Sequence, residues 1–334
     1  MGKMIERLER PDTYAVWSKN ETTRFYSTSG GAFTEFAKYI INNNGIVVGA
    51  KYNKNNMVEH AIAKDLLELE ALRQSKYISS NIGNIFIEIK KYLNNGILVG
   101  FCGSPCQVAG LYAFLGKNYD NLVTMDFICR GMNSPKALRS WLSEIEEKEN
   151  KKITRVWFKY KEGGWKTSPT RTRLDFEDGS YCIKDGDDNL FMKGYLTSNF
   201  YIRPCCGNCK FKGFPRKSDI TFADFWGIDE ELDDDKGTSL LLINSKKGKE
   251  IFESITENFN IYRKNFDSIF GGNPMLMASA NVPEKGYYFL KDLDIMSFSK
   301  CYKKYNKVSI IHRAYRKIKK LARYILKNNM KSEN

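Results

Sequence analysis

Two stretches of this 334-residue chain repeat one plan: a short apolar run, a glycine-containing turn with a cysteine close by, and Ser-Pro opening a helix. In the first, residues 97–101 are the run, Gly103-Ser104-Pro105 the turn, and VAGLYAFLG the helix, with Cys106 at its start. In the second, residues 122–128 are the run, Cys129, Gly131 and Asn133 the turn, and Ser134-Pro135 the cap of KALRSWLSEIEEK. A run that is apolar at nearly every position is a strand buried on both faces, as in a parallel sheet. Serine caps the helix that follows, and proline is tolerated at its first position because the missing N–H would have no helical partner there. Strand–helix units in tandem therefore predict an α/β sheet with Cys106 and Cys129 just beyond strand C-termini. Sheets of this kind bind ligands at that edge.

The surrounding pattern agrees with a sheet. Phe33, Phe36, Ala37 and Ile40 fall at helical spacing and predict a helix over 32–41, stopped by Asn-Gly and followed by a strand over 46–52. Further helices are predicted over 63–74 and over 82–93, the second ending at Asn94-Asn95-Gly96. Residues 1–20 read as a polar lead-in. From Ile153 onward ITRVWFKYK, TRLDFEDGSYCIK and DITFADFW read as strands with Gly or Asp-Gly turns, and GTSLLLINSKKGKEIFESI returns to strand, turn and helix. The fold class expected is α+β: an α/β first half with a mixed or parallel sheet, a strand-rich second half and a C-terminal basic amphipathic helix. The corresponding divisions are a lead-in (1–20), an α/β part (21–150), an α+β part (151–299) and a basic helical tail (300–334).

Composition excludes several classes. A hydrophobic fraction of 42% and an aromatic fraction of 13% belong to a folded chain with a full core. Eight cysteines are too dilute for a disulfide-stapled scaffold. MGKMIERLERPDTY has no apolar signal core, and no stretch reaches the ~18 apolar residues of a membrane span. A cytoplasmic location, where thiols stay reduced, is the expectation. The net charge of +14 is a property of the tail: residues 300–334 carry twelve Lys or Arg against Glu333 alone, leaving +3 for the rest. Within it, residues 308–326 place Ile311, Tyr315, Ile318, Ala322 and Ile325 on one helical face, able to lie on an anionic membrane surface or to pack on the protein itself. No specific nucleic-acid binding is expected.

The remaining cysteines concentrate the chemistry. Cys206-x-x-Cys209 in YIRPCCGNCKFKG is a local chelate that suits zinc, an iron–sulfur cluster or a redox dithiol. Structural zinc usually takes two such pairs; one pair joined by the distant Cys106 and Cys129 better suits a cluster assembled by the tertiary fold, with zinc as the alternative. Cys102, Cys182 and Cys301 read as small packed thiols, and Cys205 is ambiguous. Ser27–Gly31 opens a helix whose free N–H groups could cradle a phosphate or serve only as a cap. Asp224, with Phe225, Trp226 and Gly227, could line a flat ring or simply pack. His60 and His312 lack partner motifs, which argues against a histidine-based triad.

The segments STSGGAF, GIVVGAKY, LRQSKYISS, GSPCQVAGLYAFL, NLVTMDFICRGMNSP, RPCCGNCKF, RKSDITFADFWGI and KGTSLLLINSKKGKE, in this order over roughly 24–255, resemble the coenzyme F-420 hydrogenase/dehydrogenase beta-subunit family. The resemblance implies an oxidoreductase carrying FAD and one 4Fe-4S cluster, exchanging electrons with a small-molecule or sugar-linked substrate and with a separate donor or acceptor. It also implies a bacterial member of the kind found near polysaccharide-synthesis genes. The implied cluster ligands are Cys106, Cys129, Cys206 and Cys209. The implied flavin contacts are Ser29, Gly30, Gly31, Ser75, Lys76, Tyr77, Gly103, Ser104, Pro105, Asp126 and Asp224. A zinc-stabilised binding protein that retains the fold is the alternative function. Three departures stand out. No cysteine precedes Cys102, so the ferredoxin-like segment of many relatives is not expected. Gln74 and Ala223 stand where relatives tend to have glycine. Arg130 stands where relatives commonly have histidine, and a guanidinium, always charged, cannot shuttle protons.

Overall fold

The computed structural model describes residues 5–167 and 169–306. Among the described residues eleven strands form two sheets: β1 (Arg7–Ser18), β2 (Ile46–Tyr52), β3 (Val58–Ala63), β4 (Val99–Cys102), β5 (Leu122–Phe127), β6 (Ile153–Phe158), β7 (Thr172–Phe176), β8 (Tyr181–Lys184), β9 (Ile220–Asp224), β10 (Ser239–Ser245) and β11 (Phe259–Arg263). The larger sheet has the order β11-β1-β10-β9-β5-β4-β2-β3, and the smaller is the antiparallel meander β6-β7-β8. Strands β2, β4, β5 and β9 run parallel at the centre of the larger sheet. Antiparallel strands flank them on both sides.

Both faces of the parallel centre are covered, as the apolar runs require. The helix Ala32–Asn42 lays Phe36, Ala37 and Ile40 against Val47, Val123 and Met125. The helices Ile85–Asn94 and Pro105–Leu115 press Ile89, Leu93, Val108 and Leu111 onto Val48, Val99 and Phe101. Each such large apolar side chain contributes roughly 1.5–3 kcal/mol by leaving water. Gly100 leaves room for the first of these contacts: a Cβ there would lie 2.4 Å from Ile40 Cδ1, and that buried side chain would have to shift. A second core joins the smaller sheet to the helices Pro135–Glu149, Lys285–Asp292 and Phe298–Tyr305.

The mixed α/β architecture follows the sequence expectation, with three differences. The polar lead-in is a strand: β1 buries Thr13, Ala15, Val16 and Ser18 between β10 and β11, and the charged half from Arg7 to Asp12 disguises its alternation. The helix expected over 63–74 begins later, after β3, because Asp65 accepts a hydrogen bond from Glu68 N (2.8 Å) and caps Leu66–Leu72. The sheet also spans the division near residue 150, since β9, β10 and β11 return to the sheet begun by β2, β4 and β5. The predicted membrane-surface helix at 308–326 lies outside the described residues. No described helix is long and apolar enough to cross a membrane.

Candidate cofactor site

Strands β4 and β5 are parallel neighbours with Cys102 opposite Met125, so the turns that follow them leave one sheet edge side by side. Cys106 sits exposed in the first turn of the helix Pro105–Leu115. Gln107 Oε1 accepts from Ser104 N at 2.9 Å, the return half of a capping box. Ser104 Oγ lies 3.1 Å from Cys106 Sγ.

Main-chain pairing brings in the third stretch. Arg203 N donates to Met132 O (2.9 Å) and Ser134 N to Tyr201 O (2.8 Å), tying the Cys129 turn to the segment that leads into Cys206. Gly131, at φ +151°, makes the approach possible: a Cβ would lie 2.7 Å from Ile202 Cγ2 and 3.4 Å from Cys206 Cβ. The loop is held from below by Arg216, which pairs with Asp126 at 2.9 Å. Cys209 N donates to Ser279 Oγ (3.0 Å), and Lys212 Nζ donates to Met275 O (2.7 Å) and to Cys129 O.

The thiols and Lys212 feel one another's charge. Burial pushes the Cys129 thiol up to about 12, the Lys212 ammonium opposes this, and Cys106 and Cys206 add repulsion. Burial also raises the Cys206 thiol. Burial lowers Lys212, while Cys129, Cys209 and Cys206 pull it back. Among the described residues no three Cys, His, Asp or Glu side chains gather closely enough to hold one metal ion. Cys301 is buried, and Cys182 packs partly buried against the same hydrophobic cluster. Cys102 lies beside Lys76 with its thiol pushed up to about 12 by burial.

The residues expected at a flavin fall into two groups. Residues 75–80 form a hub: Ser75 N donates to Thr28 Oγ1 (2.8 Å), Asn133 Nδ2 to Tyr77 O (2.8 Å) and Gln107 Nε2 to Ser80 Oγ (2.9 Å). This hub joins the Ser29-Gly30-Gly31, Cys129 and Gly103-Ser104-Pro105 turns. Tyr77, at φ +49°, meets Phe158 edge-on at 5.3 Å. Other candidates are occupied by the fold itself. Ser29 Oγ donates to Thr238 O (2.6 Å), Gly30 N donates to Ser239 Oγ (2.9 Å), and a Cβ on Gly30 would meet Val16 O at 2.4 Å. Gly31 opens the helix Ala32–Asn42 at φ +93°. Lys76 Nζ donates to the carbonyls of Leu72, Arg73 and Gln74 at a helix end, and burial draws it down to about 7. Asp126 accepts from Arg216 and, at 2.6 Å, from Thr221 Oγ1, as a structural strand-end acid does.

Asp224 has a partner that sequence reasoning missed. Lys159 donates to its carboxylate, and the ammonium lies 4.8 Å and 4.7 Å from the Trp165 and Trp226 ring centroids, themselves stacked at 4.5 Å. Lys159 directly follows β6 at φ +55°, past the end of the strand, so the β6 alternation did not mark it. Arg130 turns its guanidinium to Leu196 O (2.9 Å) and Asn199 Oδ1 (3.2 Å). Arg130 Nε, Asn133 Oδ1 and Trp157 Nε1 are buried without a protein partner. Buried polar atoms are seldom left so; Arg130 and Asn133 belong to the Cys129 turn, whereas Trp157 packs against Tyr26 and Tyr160.

Residues 97–268, just over half of the chain, match the family model for the C terminus of the coenzyme F420 hydrogenase/dehydrogenase beta subunit. The chain belongs to this family. The match contains all four candidate cluster cysteines together with Asp126 and Asp224, while Ser29 and Ser75 precede it. Among solved structures, the fold is similar to a chain of the xenon-derivatised F420-reducing NiFe hydrogenase complex from Methanosarcina barkeri. The TM-score is 0.54 at 16% identity, covering 89% of this chain and 91% of that one. The likeness therefore extends over the N-terminal part that the family model leaves out. No curated protein sequence matched the chain.

Proposed function

We propose that this family member is an oxidoreductase holding one 4Fe-4S cluster on Cys106, Cys129, Cys206 and Cys209, with FAD between residues 75–80 and the Cys129 turn. The observation that carries the reading is the main-chain pairing of the Cys129 turn with the segment leading to Cys206, beside Lys212 and next to the Cys106 turn at the same sheet edge. The donor set fits: four thiols, a helix N-terminus, a hydroxyl on Cys106 and a glycine where a Cβ would block the approach. One C-x-x-C pair joined by two distant single cysteines favours a cluster over zinc, whose structural sites usually take two such pairs. When bound, FAD exchanges electron pairs with an organic substrate and the cluster exchanges single electrons.

The chain's own residues then have definite tasks. The cysteine thiols release their protons on ligation, and at Cys129 burial opposes this while Lys212 assists it. The orphaned Asn133 Oδ1 and Arg130 Nε offer an acceptor and a donor to the ring. Arg130, permanently charged, holds an anionic group and moves no proton. A sugar-linked substrate in surface-polysaccharide synthesis and a cytoplasmic setting complete the proposal. Anaerobic purification tests it: brown protein with iron and sulfide in equal amounts and releasable FAD is the expected result. Colourless protein holding stoichiometric zinc overturns it.

A further inference from the structure

A cavity of about 380 Å³, a size that takes a small molecule, is lined by Tyr26, Glu70, Arg73, Gln74, Thr154 and Arg155 among others. It abuts the 75–80 hub through Lys76, whose ammonium is already occupied by the carbonyls of Leu72, Arg73 and Gln74. The two arginines are less fully engaged. Arg155 is 44% exposed and reaches Asp175 only at 3.9 Å, beyond hydrogen-bond distance, while the other oxygen of Asp175 accepts from Arg173 at 2.5 Å. Arg73 is 7% exposed and its buried Nε has no protein acceptor. Its Nη1 is covered, at 2.7 Å, by the carboxylate of Glu70, itself 59% exposed. The Arg155 guanidinium lies 4.5 Å from the Trp157 ring centroid, and Tyr26 stacks on the same ring at 5.3 Å. Tyr26 is 38% exposed, so part of its ring is open to the cavity it lines.

Two guanidinium groups with donors to spare call for acceptor oxygens, and guanidinium pairs with phosphate or carboxylate through two parallel hydrogen bonds. A bare anion would leave the rest of the lining unused. The Glu70 carboxylate, the Thr154 hydroxyl and the Gln74 amide match a ligand with several hydroxyls. The open Tyr26 ring matches the C–H face of a sugar. We propose that this cavity is the subsite for a sugar bearing an oxyanion, a sugar phosphate or a uronic acid, with the oxyanion on Arg155 and Arg73 and the sugar ring against Tyr26. Glu70 covers the Arg73 guanidinium until the oxyanion takes its place. The inference rests on the oxidoreductase reading above and names the substrate class of that site.

The test is calorimetric titration of the whole, anaerobically purified protein with a hexose phosphate, glucuronate, glucose and uridine monophosphate. The hexose phosphate or glucuronate should bind, the tighter of the two telling which oxyanion the site takes. Glucose should bind at least about tenfold more weakly, because it lacks the charge-assisted bonds. Arg155→Met should weaken the anionic sugar about tenfold or more. Glu70→Gln should tighten it about threefold or more by uncovering Arg73. Both side chains are largely exposed, so neither change threatens the fold. The subsite is overturned by binding of neither anionic sugar, by binding that neither substitution moves, or by a preference for uridine monophosphate. Binding seen only after FAD has been released also overturns it, giving the cavity to a flavin phosphate. Brown, flavin-loaded protein with any of these results loses the subsite and keeps the oxidoreductase. Colourless zinc protein that binds the anionic sugar keeps the binding site and loses the oxidoreductase.

Discussion

Asp126 and Arg216 face each other across 2.9 Å with side chains only 1% and 3% exposed, directly beneath the turn that presents Cys129. Burial pushes the Asp126 carboxyl up, and the Arg216 guanidinium and Thr221 hydroxyl hold it back. Arg216 also donates to Phe127 O (3.2 Å), so one side chain links the end of β5 to the approach to β9. The pair is a clamp between two of the three cysteine stretches.

Breaking the clamp from one side leaves a buried, uncompensated carboxylate. Arg216→Met should therefore cost about 3–5 kcal/mol in urea unfolding at neutral pH. The sign of its pH dependence follows: without the guanidinium, Asp126 binds its proton more tightly folded than unfolded. The deficit against wild type should narrow as pH falls toward 4. A deficit that stays constant would mean that Asp126 is not the group left unpaired.

The four proposed ligands should separate cleanly from the other thiols. Cys106→Ala, Cys129→Ala, Cys206→Ala and Cys209→Ala should each lose the anaerobic visible absorption. Cys102→Ala and Cys182→Ala should keep it, since the Cys102 thiol is buried beside Lys76 and Cys182 lies on β8 against the second core. Retention of full iron by any of the first four removes that residue from the ligand set.

Gly131 and Ile202 should prove coupled. A Cβ on Gly131 meets Ile202 Cγ2 at 2.7 Å, on a backbone of positive φ. Gly131→Ala should destabilise by about 1–3 kcal/mol through strain and overpacking. Ile202→Ala removes the obstructing methyl and carries its own cavity cost. In a double-mutant cycle the combined loss should fall short of the sum by about 0.5 kcal/mol or more. Strict additivity would show that the glycine is needed for its φ alone.

These residues also show what the sequence made legible. The β4 and β5 runs with their Ser-Pro caps placed Cys106 and Cys129 at one edge, because a buried parallel strand has an unmistakable composition. What lay beyond reach was long-range. β1 hides its alternation behind Arg7–Asp12, and its place between β10 and β11 is a matter of partners over two hundred residues away. Lys159, the partner of Asp224, and Arg216, the partner of Asp126, are ordinary cations in the sequence; only the fold reveals that each is buried against one carboxylate. The Ser29-Gly30-Gly31 turn illustrates the opposite limit. A phosphate cradle and a close backbone approach call for the same glycines, and the structure displays the second.

His60 supplies the pH dependence that is simplest to isolate. Its ring stacks on Phe101 with centroids 5.4 Å apart, and Nε2 lies 3.2 Å from Cys102 O, an acceptor that fixes the proton on that nitrogen. Nδ1 is buried with no partner, so a second proton there would be unsupported. Burial, helped by the nearby Lys76 charge and opposed by the Cys102 carbonyl, lowers the imidazole to about 4. The unfolded chain titrates near 6.5, so between these values it binds a proton that the folded protein refuses. Stability from this group is complete above about 6.5 and falls as pH drops toward 4, by roughly 3 kcal/mol in all. His60→Phe keeps the stacking and removes the titration, while leaving the Cys102 carbonyl short of a donor at every pH. Unfolding by urea at pH 7, 5.5 and 4.5 should therefore show wild type losing ground to the variant across that range. Parallel curves would place the folded imidazole near its ordinary value and the unpaired Nδ1 in contact with water.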